Sequence, residues 1–335
     1  MNRRRFARTL GWLAAAPTLG ATRGRSSVRV VRNGHGPGRD LAVISWRTRD
    51  GEDAGEVDLP FTSAPTEDAN KGRIGPLAIR IAALGGVPNA FEWDTREWQW
   101  WRGYPRVFGP RNDEYTRLVS ATGGVRQYGW GVRVWTQYEM DGVETRQDWL
   151  FPDFDRDAAI AYDCVITIHN RQNKPLDEYG QFFATYVAWN DRKGHFYWDE
   201  NGALVNFADR GGKHLDYFVA AAGSECARLG YVPHCARGGG TVKAHWRKPV
   251  SVSIAGPRGL HHIQMTEEAV TSAIGMGGRG YAQDYILSPP GLHLPAGSSF
   301  RTHVRHVFAV ATGETLQTLW DAFAASHRRV YALTT

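Results

Sequence analysis

The feature that most constrains this chain is a succession of short runs in which β-branched or aromatic residues alternate with polar ones, each cut off by turn-forming residues. Alternation with period two places one side of a strand in a core and the other toward a second layer or solvent. Such runs recur at Ser27–Arg32, Asp40–Arg47, Ile74–Ala83, Tyr115–Thr122, Val132–Met140, Glu144–Phe151 and Ala158–His169. They continue at Tyr179–Asn190, Phe196–Trp198, Leu215–Ala222, Thr241–Arg247, Val250–Ala255, His261–Thr266 and Phe300–Ala311. Asp141-Gly142 and Asn201-Gly202 are hairpin tips, because glycine supplies the positive φ that tight hairpins need. One segment has helical spacing instead. From Glu314 to about Val330, Leu316, Leu319, Trp320 and Phe323 form a single stripe, with Thr312 as the N-cap. No fixed period recurs, which argues against a propeller or solenoid. The sequence therefore predicts an all-β fold, a large antiparallel β-sandwich of about fifteen strands closed by a C-terminal helix. A smaller unit over residues 27–110 is an open possibility, bounded by the Gly103–Pro110 stretch.

Composition excludes several classes. Hydrophobic residues make up 42% and charged residues 22% of 335, an ordinary globular balance rather than a disordered one. No apolar run reaches the ~18–20 residues of a membrane-spanning helix. The net charge of +6 is local. Arg3, Arg4, Arg5, Arg8, Arg23 and Arg25 lie in the first 25 residues, which hold no acid, and the remainder carries 34 basic and 34 acidic residues. A neutral body has no footprint for phosphate, so nucleic acid is not an expected partner. The leader has a basic start, the apolar stretch Thr9–Ala16 and small residues at Gly20-Ala21, the layout of an export signal. The order Arg-Arg-x-Phe-x-Arg resembles a twin-arginine signal. The expected organisation is an export signal over residues 1–25, cut near Ala21, and a sandwich domain over 26–335. The expected location is periplasmic or secreted.

Three stretches resemble the galactose mutarotase-like, or aldose epimerase-like, β-supersandwich. In Thr122–Trp130, the Gly, Arg126 and Trp130 fall where the family carries a His-Gly-x-x-Arg-x-x-x-Trp pattern. Ile166–Asn170, then Lys174-Pro175-Leu176 and Gly180, is similar to its strand–Asn–turn–Pro-Leu–strand segment. Gly291–Phe300 is similar to the Leu-x-Pro-Gly-Glu-Ser segment before the last strand. The likeness covers about residues 115–312. It implies the supersandwich fold and a carbohydrate partner, in a superfamily that also includes lyases, hydrolases and binding modules. The family's usual catalytic histidines are absent. Thr122 stands at the first, and Gly180–Tyr186 contains no second. Asp284 stands near the position of the general-base Glu.

Candidate site residues follow from residue type and placement. Anomeric proton transfer needs an acid and a base on opposite sides of the sugar, and the assignment is Asp284 as base and His262 as acid. On a strand only one of His261 and His262 faces a given cleft. Arg126 and Trp130 are assigned to substrate binding. So are His195 and Tyr197, which share one strand face with Asp199, a combination suited to sugar stacking and hydroxyl recognition. Arg279, in the glycine-rich stretch with Tyr281, could hold a carboxylate, as could Arg210, Lys213 and His214. Four Trp occur between Trp93 and Trp101, where Trp98 and Trp100 share a face and form a candidate sugar platform. The plainer alternative for each is a packed core or solvated loop residue. His293, His303, His306 and His327 are read as surface or strand residues. No metal site and no cofactor is expected. Cys164 reads as a buried inert thiol, and Cys226 and Cys235 are close enough in sequence to pair after export. The resulting expectation is an exported carbohydrate-active protein, epimerase-, lyase- or hydrolase-like, with a non-catalytic glycan-binding protein as the alternative.

Overall fold

The computed structural model describes residues 23–34, 36–47, 51–64, 78–84, 87–94, 120–140, 142–155, 160–177, 179–186, 195–207, 217–232, 240–254, 261–277, 282–309 and 311–335. The chain opens with β1 (Arg23–Val31), β2 (Leu41–Arg47), β3 (Asp53–Pro60), β4 (Ala78–Leu84) and β5 (Val87–Asp94). Next come β6 (Ala121–Tyr128), β7 (Gly131–Met140), β8 (Val143–Pro152), β9 (Phe154–Asp155), β10 (Ile160–Asn170) and β11 (Gln181–Tyr186). Then follow β12 (His195–Asp199), β13 (Leu204–Asn206), β14 (Tyr217–Ala221), the short helix α1 (Glu225–Leu229), β15 (Tyr231–Val232) and β16 (Gly240–Ile254). The last elements are β17 (His261–Thr266), β18 (Thr271–Gly277), β19 (Ala282–Leu287), β20 (Ser299–Ala309) and the C-terminal helix α2 (Gly313–Ala332).

Two sheets result. One has six strands in the order β5-β4-β3-β2-β1-β9. The other has fourteen, along the path β11-β19-β18-β14-β16-β17-β20-β10-β8-β7-β6, with β12, β13 and β15 branching from it. The all-β sandwich with a closing helix is as the sequence predicts. Pairing is antiparallel with one exception among the described residues, the parallel pair β14–β16. The small sheet is a layer of the same body rather than a separate unit. Ile44, Trp46, Val57 and Leu59 share one core with Val134, Trp149, Phe151 and Tyr162 of the large sheet. Residues 1–22 lie outside the described residues. Because β1 begins at Arg23, with Arg23 and Gly24 paired to β9 and Arg25 to Arg47, the domain starts inside the stretch read as leader. A cut after Ala21 would leave β1 whole.

Local chemistry explains the layout. Gly131 closes the β6–β7 turn at φ +145, and a Cβ there would meet the Phe151 carbonyl oxygen at 2.2 Å. Gly123 lies where the two layers meet, and its Cβ would sit 2.3 Å from the Phe61 carbonyl oxygen. Ser63 and Ala121 exchange two backbone hydrogen bonds at this junction. The Asn and Pro-rich motifs of the sequence also meet. Asn170 is fully buried, and its amide donates to the carbonyls of Lys174, Leu294 and Pro295, tying the β10 turn to the segment before β20. Helix α2 is capped by Thr312, whose hydroxyl accepts from the Thr315 N–H. Its stripe of Leu316, Leu319, Trp320 and Phe323 covers Val250, Val252, Ile263, Met265 and Val307 on the outer face of the large sheet. No described helix is long and apolar enough to cross a membrane.

Candidate functional site

Antiparallel register aligns side chains of neighbouring strands in rows, and alternate rows occupy opposite faces. On the inner face of the large sheet one row runs His195–Ser253–His262–Phe308–Ile160. The adjacent inner row runs Tyr197–Ser251–Gln264–His306–Tyr162. A third carries Thr266, Val304, Cys164 and Trp149. A core position filled this way is unusual, because buried hydroxyls, amides and imidazoles each demand a partner. His195, His262, His306, Gln264, Ser251, Ser253 and Thr266 are all buried, as are Tyr162, Tyr197 and Trp149.

The groups pair among themselves. His195 Nδ1 lies 2.9 Å from Ser253 Oγ, and His262 Nε2 lies 3.0 Å from His306 Nδ1. The two latter rings stack, and His306 stacks in turn on Tyr162 at 4.6 Å between centroids. Tyr285, reaching in from β19, donates its hydroxyl to the Gln264 carbonyl at 3.0 Å and contacts Ser251 Oγ. Among the described residues, the atoms without a hydrogen-bond partner include His262 Nδ1, the Tyr162 hydroxyl and Thr302 Oγ1. Each such orphan costs about 1–3 kcal/mol. Gln147, Trp149, Gln264, Thr266, Tyr285 and His306, with Cys164, Ile166, Leu287 and Val304, line a cavity of about 10 Å³ whose surface is almost wholly apolar. That is room for roughly one water.

Electrostatics fix the protonation states. Burial, then the proximity of His195, lowers the His262 pKa to about 3. Burial, then His262, holds His306 well below the ordinary imidazole range. Both rings are therefore neutral at neutral pH. This corrects the role of His262 as a resting acid: the ring carries no spare proton to give. The three rows hold no Asp, Glu, Lys or Arg side chain.

The structure brings His195, Tyr197 and His262 onto one face in adjacent rows, and separates others from them. Arg126 pairs with Arg133, which continues through Leu150 and Asp163 to Arg305, a row of the opposite, helix-bearing face. Its guanidinium is exposed and lies 5.0 Å from the Tyr128 ring centroid. Trp130 stacks on Tyr128 and packs beside Leu150, Val165 and Val330 under the helix. A cleft shared by Arg126, Trp130 and His262 is thus corrected, because one sheet lies between them. Asp284 is placed in β19 between partners Ala184 and Gly275, one residue out of phase with Tyr285. Trp98, Trp100 and Arg279 lie outside the described residues, as does the Arg210–His214 loop. Cys226 is a buried free thiol whose pKa burial pushes up to about 12, and Cys164 is likewise buried and free.

His306, Tyr162, Gln264 and Tyr285 were not singled out from sequence. The available signal was polar residues on every second position of β17, at His262, Gln264 and Thr266, alternating with apolar Ile263 and Met265.

No family model matches the sequence, and the curated proteins contain no match. Among solved structures, the chain is similar to aldose 1-epimerase-like proteins at low TM-scores. One, assigned as an aldose 1-epimerase from Klebsiella pneumoniae subsp. pneumoniae, has TM-score 0.40 and 9% identity over 94% of this chain and 90% of its own. A galactose 1-epimerase from Lactobacillus acidophilus has TM-score 0.35 and 8% identity over 86% of this chain and 100% of its own. The α-N-acetylgalactosaminidase NagBb from Bifidobacterium bifidum has TM-score 0.40 and 10% identity over 86% of this chain, which spans 38% of that protein.

Proposed function

We propose that this is an exported carbohydrate-active protein that takes its sugar against the inner face of the large sheet. One observation carries the reading: a buried band of uncharged hydrogen-bonding groups, bordered by Trp149, Tyr162 and Tyr285, in which His262 Nδ1, Tyr162 and Thr302 lack partners. A polyhydroxyl ligand satisfies such groups without bringing charge, and aromatic faces stack on its apolar side. The walls must part to admit a ring, so association is expected to be slow. Proton transfer through His262 would need a separate acid, because its neutral ring enters as an acceptor and Asp284 stands one residue out of phase with the inward-facing Tyr285. The neutral imidazoles favour the alternative, a non-catalytic glycan-binding protein of the cell envelope.

The test combines a glycan array with polarimetric, reducing-end and unsaturated-uronate assays. Binding of sugars with turnover supports the enzyme, and binding without turnover supports the binding protein. His262→Leu, which removes the acceptor at the band's centre, is expected to weaken binding at least about tenfold. No binding and no turnover across neutral and uronic glycans would defeat both readings. Export is tested by cell fractionation of Arg3→Lys/Arg4→Lys. The double variant is expected to stay in the cytosolic fraction, and equal export of variant and parent refutes the twin-arginine route.

A further inference from the structure

Helix α2 is held to the sheet by two different kinds of chemistry. Its first half is anchored by Leu316, Leu319, Trp320 and Phe323 on an apolar patch, with Lys248 over Trp320 and paired to Glu268. Its second half rests on a chain of polar contacts that begins at buried Asp163 of β10. Arg305 of β20 donates to Asp163 at 2.7 Å and to Ser326 of the helix at 3.0 Å. His303 Nε2 lies 2.6 Å from the same carboxylate, and His303 Nδ1 lies 2.8 Å from His327 Nδ1 of the helix. His327 also lies 3.3 Å from Glu267, which follows β17 and accepts from the Tyr331 hydroxyl at 2.7 Å. Arg301 sits over the Tyr331 ring at 3.9 Å. From β7, Arg133 binds both Asp148 and the Thr334 carbonyl near the helix end.

The proton count in this cluster is constrained. Arg305 and His303 outweigh the burial that would raise the Asp163 pKa, so its carboxyl stays ionised. An ionised carboxylate only accepts, so His303 gives it the Nε2 proton and presents a bare Nδ1. His327 must then donate across the 2.8 Å contact. Around the imidazoles, Asp163 and Glu267 balance Arg301 and Arg305. Burial raises the Glu267 carboxyl above its ordinary range, so on acidification it gives up one of the two charges that balance the arginines. A proton added to the other nitrogen of His327 then leaves the site with uncompensated positive charge, and one added to His303 Nδ1 would set two N–H groups against each other.

We propose that this cluster is a pH-operated latch that holds the second half of α2 on the sheet at neutral pH and frees it on acidification. Burial, then His303 and Arg305, lowers the docked His327 pKa to about 4, against about 6.5 when free. Docking is therefore strongest above about pH 6.5 and weakens as the pH falls toward 4.

The test is hydrogen–deuterium exchange of the full chain at pH 7.5 and 5.0, expressed as protection factors, with a histidine NMR titration. Residues 324–335 are expected to lose about 30-fold in protection at pH 5.0, while 313–323 change less than about threefold. In His327→Gln the amide still donates to His303 but does not titrate, and the loss over 324–335 is expected to shrink to a few-fold. Three results would each overturn the latch: protection of 324–335 independent of pH, loss along the whole helix together, or an unchanged loss in His327→Gln. If that variant does not fold, the wild-type titration decides, since a His327 midpoint near 6.5 also refutes it.

Discussion

Replacing Asp163 with alanine is expected to destabilise the protein by about 3–5 kcal/mol, the usual cost of removing one partner from a buried ion pair. Asp163 is fully buried, and Arg305 and His303 are at most 1% exposed. The Asp163→Ala change would leave the Arg305 guanidinium in the interior with only Ser326 to accept from it, and His303 Nε2 with no acceptor. The same change would remove the group that orders the contacts beneath the helix. Urea unfolding at pH 7.5 measures the loss, and a midpoint shift worth under about 1 kcal/mol would mean that water or relaxation replaces the carboxylate. The exposed pair Arg228–Glu225 is the control. Arg228→Ala there is expected to change stability by no more than about 0.5–1 kcal/mol, because solvent already screens the charges.

Strands were legible where both faces are buried and the register is long. The ranges of β7, β8, β10, β17 and β20 follow from runs such as Tyr162–Ile168, whose apolar content leaves little else for them to be. Strand β3 was missed although Val57 and Leu59 alternate with Glu56 and Asp58, because the alternation is short and lies between Gly55 and Pro60, both of which read as turn residues. Strands β18 and β19 were missed because glycines in Gly275–Gly280 read as loop. Gly275 is required inside β18, where a Cβ would meet the Phe218 ring at 2.5 Å. Thr241–Arg247 and Val250–Ala255 read as two strands split at Lys248-Pro249. They form one strand that changes neighbours there, pairing β14 before the proline and β17 after it, so the missing N–H costs no ladder bond.

The site was legible in residue type and not in face. His195, Tyr197 and His262 could be found because imidazoles and tyrosines in apolar strands are costly to bury without reason. Arg126 and Trp130 were assigned by motif, and motif spacing says nothing about which side of a sheet a residue takes. A one-residue change of phase moves a side chain to the other face. His306 needed the pairing of β17 with β20, which places it beside His262 although 44 residues separate them.

Stability is expected to fall as the pH drops from 7.5 to 5, with the inner-face histidines among the largest contributors. His262 has a folded pKa of about 3 and an unfolded one near 6.5, so the unfolded chain binds more protons throughout that window. A group depressed in this way gives its full stability above the unfolded pKa and loses it as the pH falls toward the folded one. The loss from His262 alone is about 2 kcal/mol at pH 5 and about 4 kcal/mol at pH 3. His306, His303, His261 and His327 are displaced in the same direction, each chiefly by burial. Total stabilities of domains are about 5–15 kcal/mol, so unfolding well above the carboxylate range is the consequence. His262→Gln separates this from general acid lability. The variant keeps a side chain able to hydrogen-bond His306 but removes one titration, so its loss between pH 7.5 and 5 is expected to be about 2 kcal/mol smaller than the parent's. Urea midpoints at pH 7.5, 6 and 5 decide it: a flat parent profile would mean that the inner-face imidazoles are solvated and charged, and the uncharged band would cease to exist.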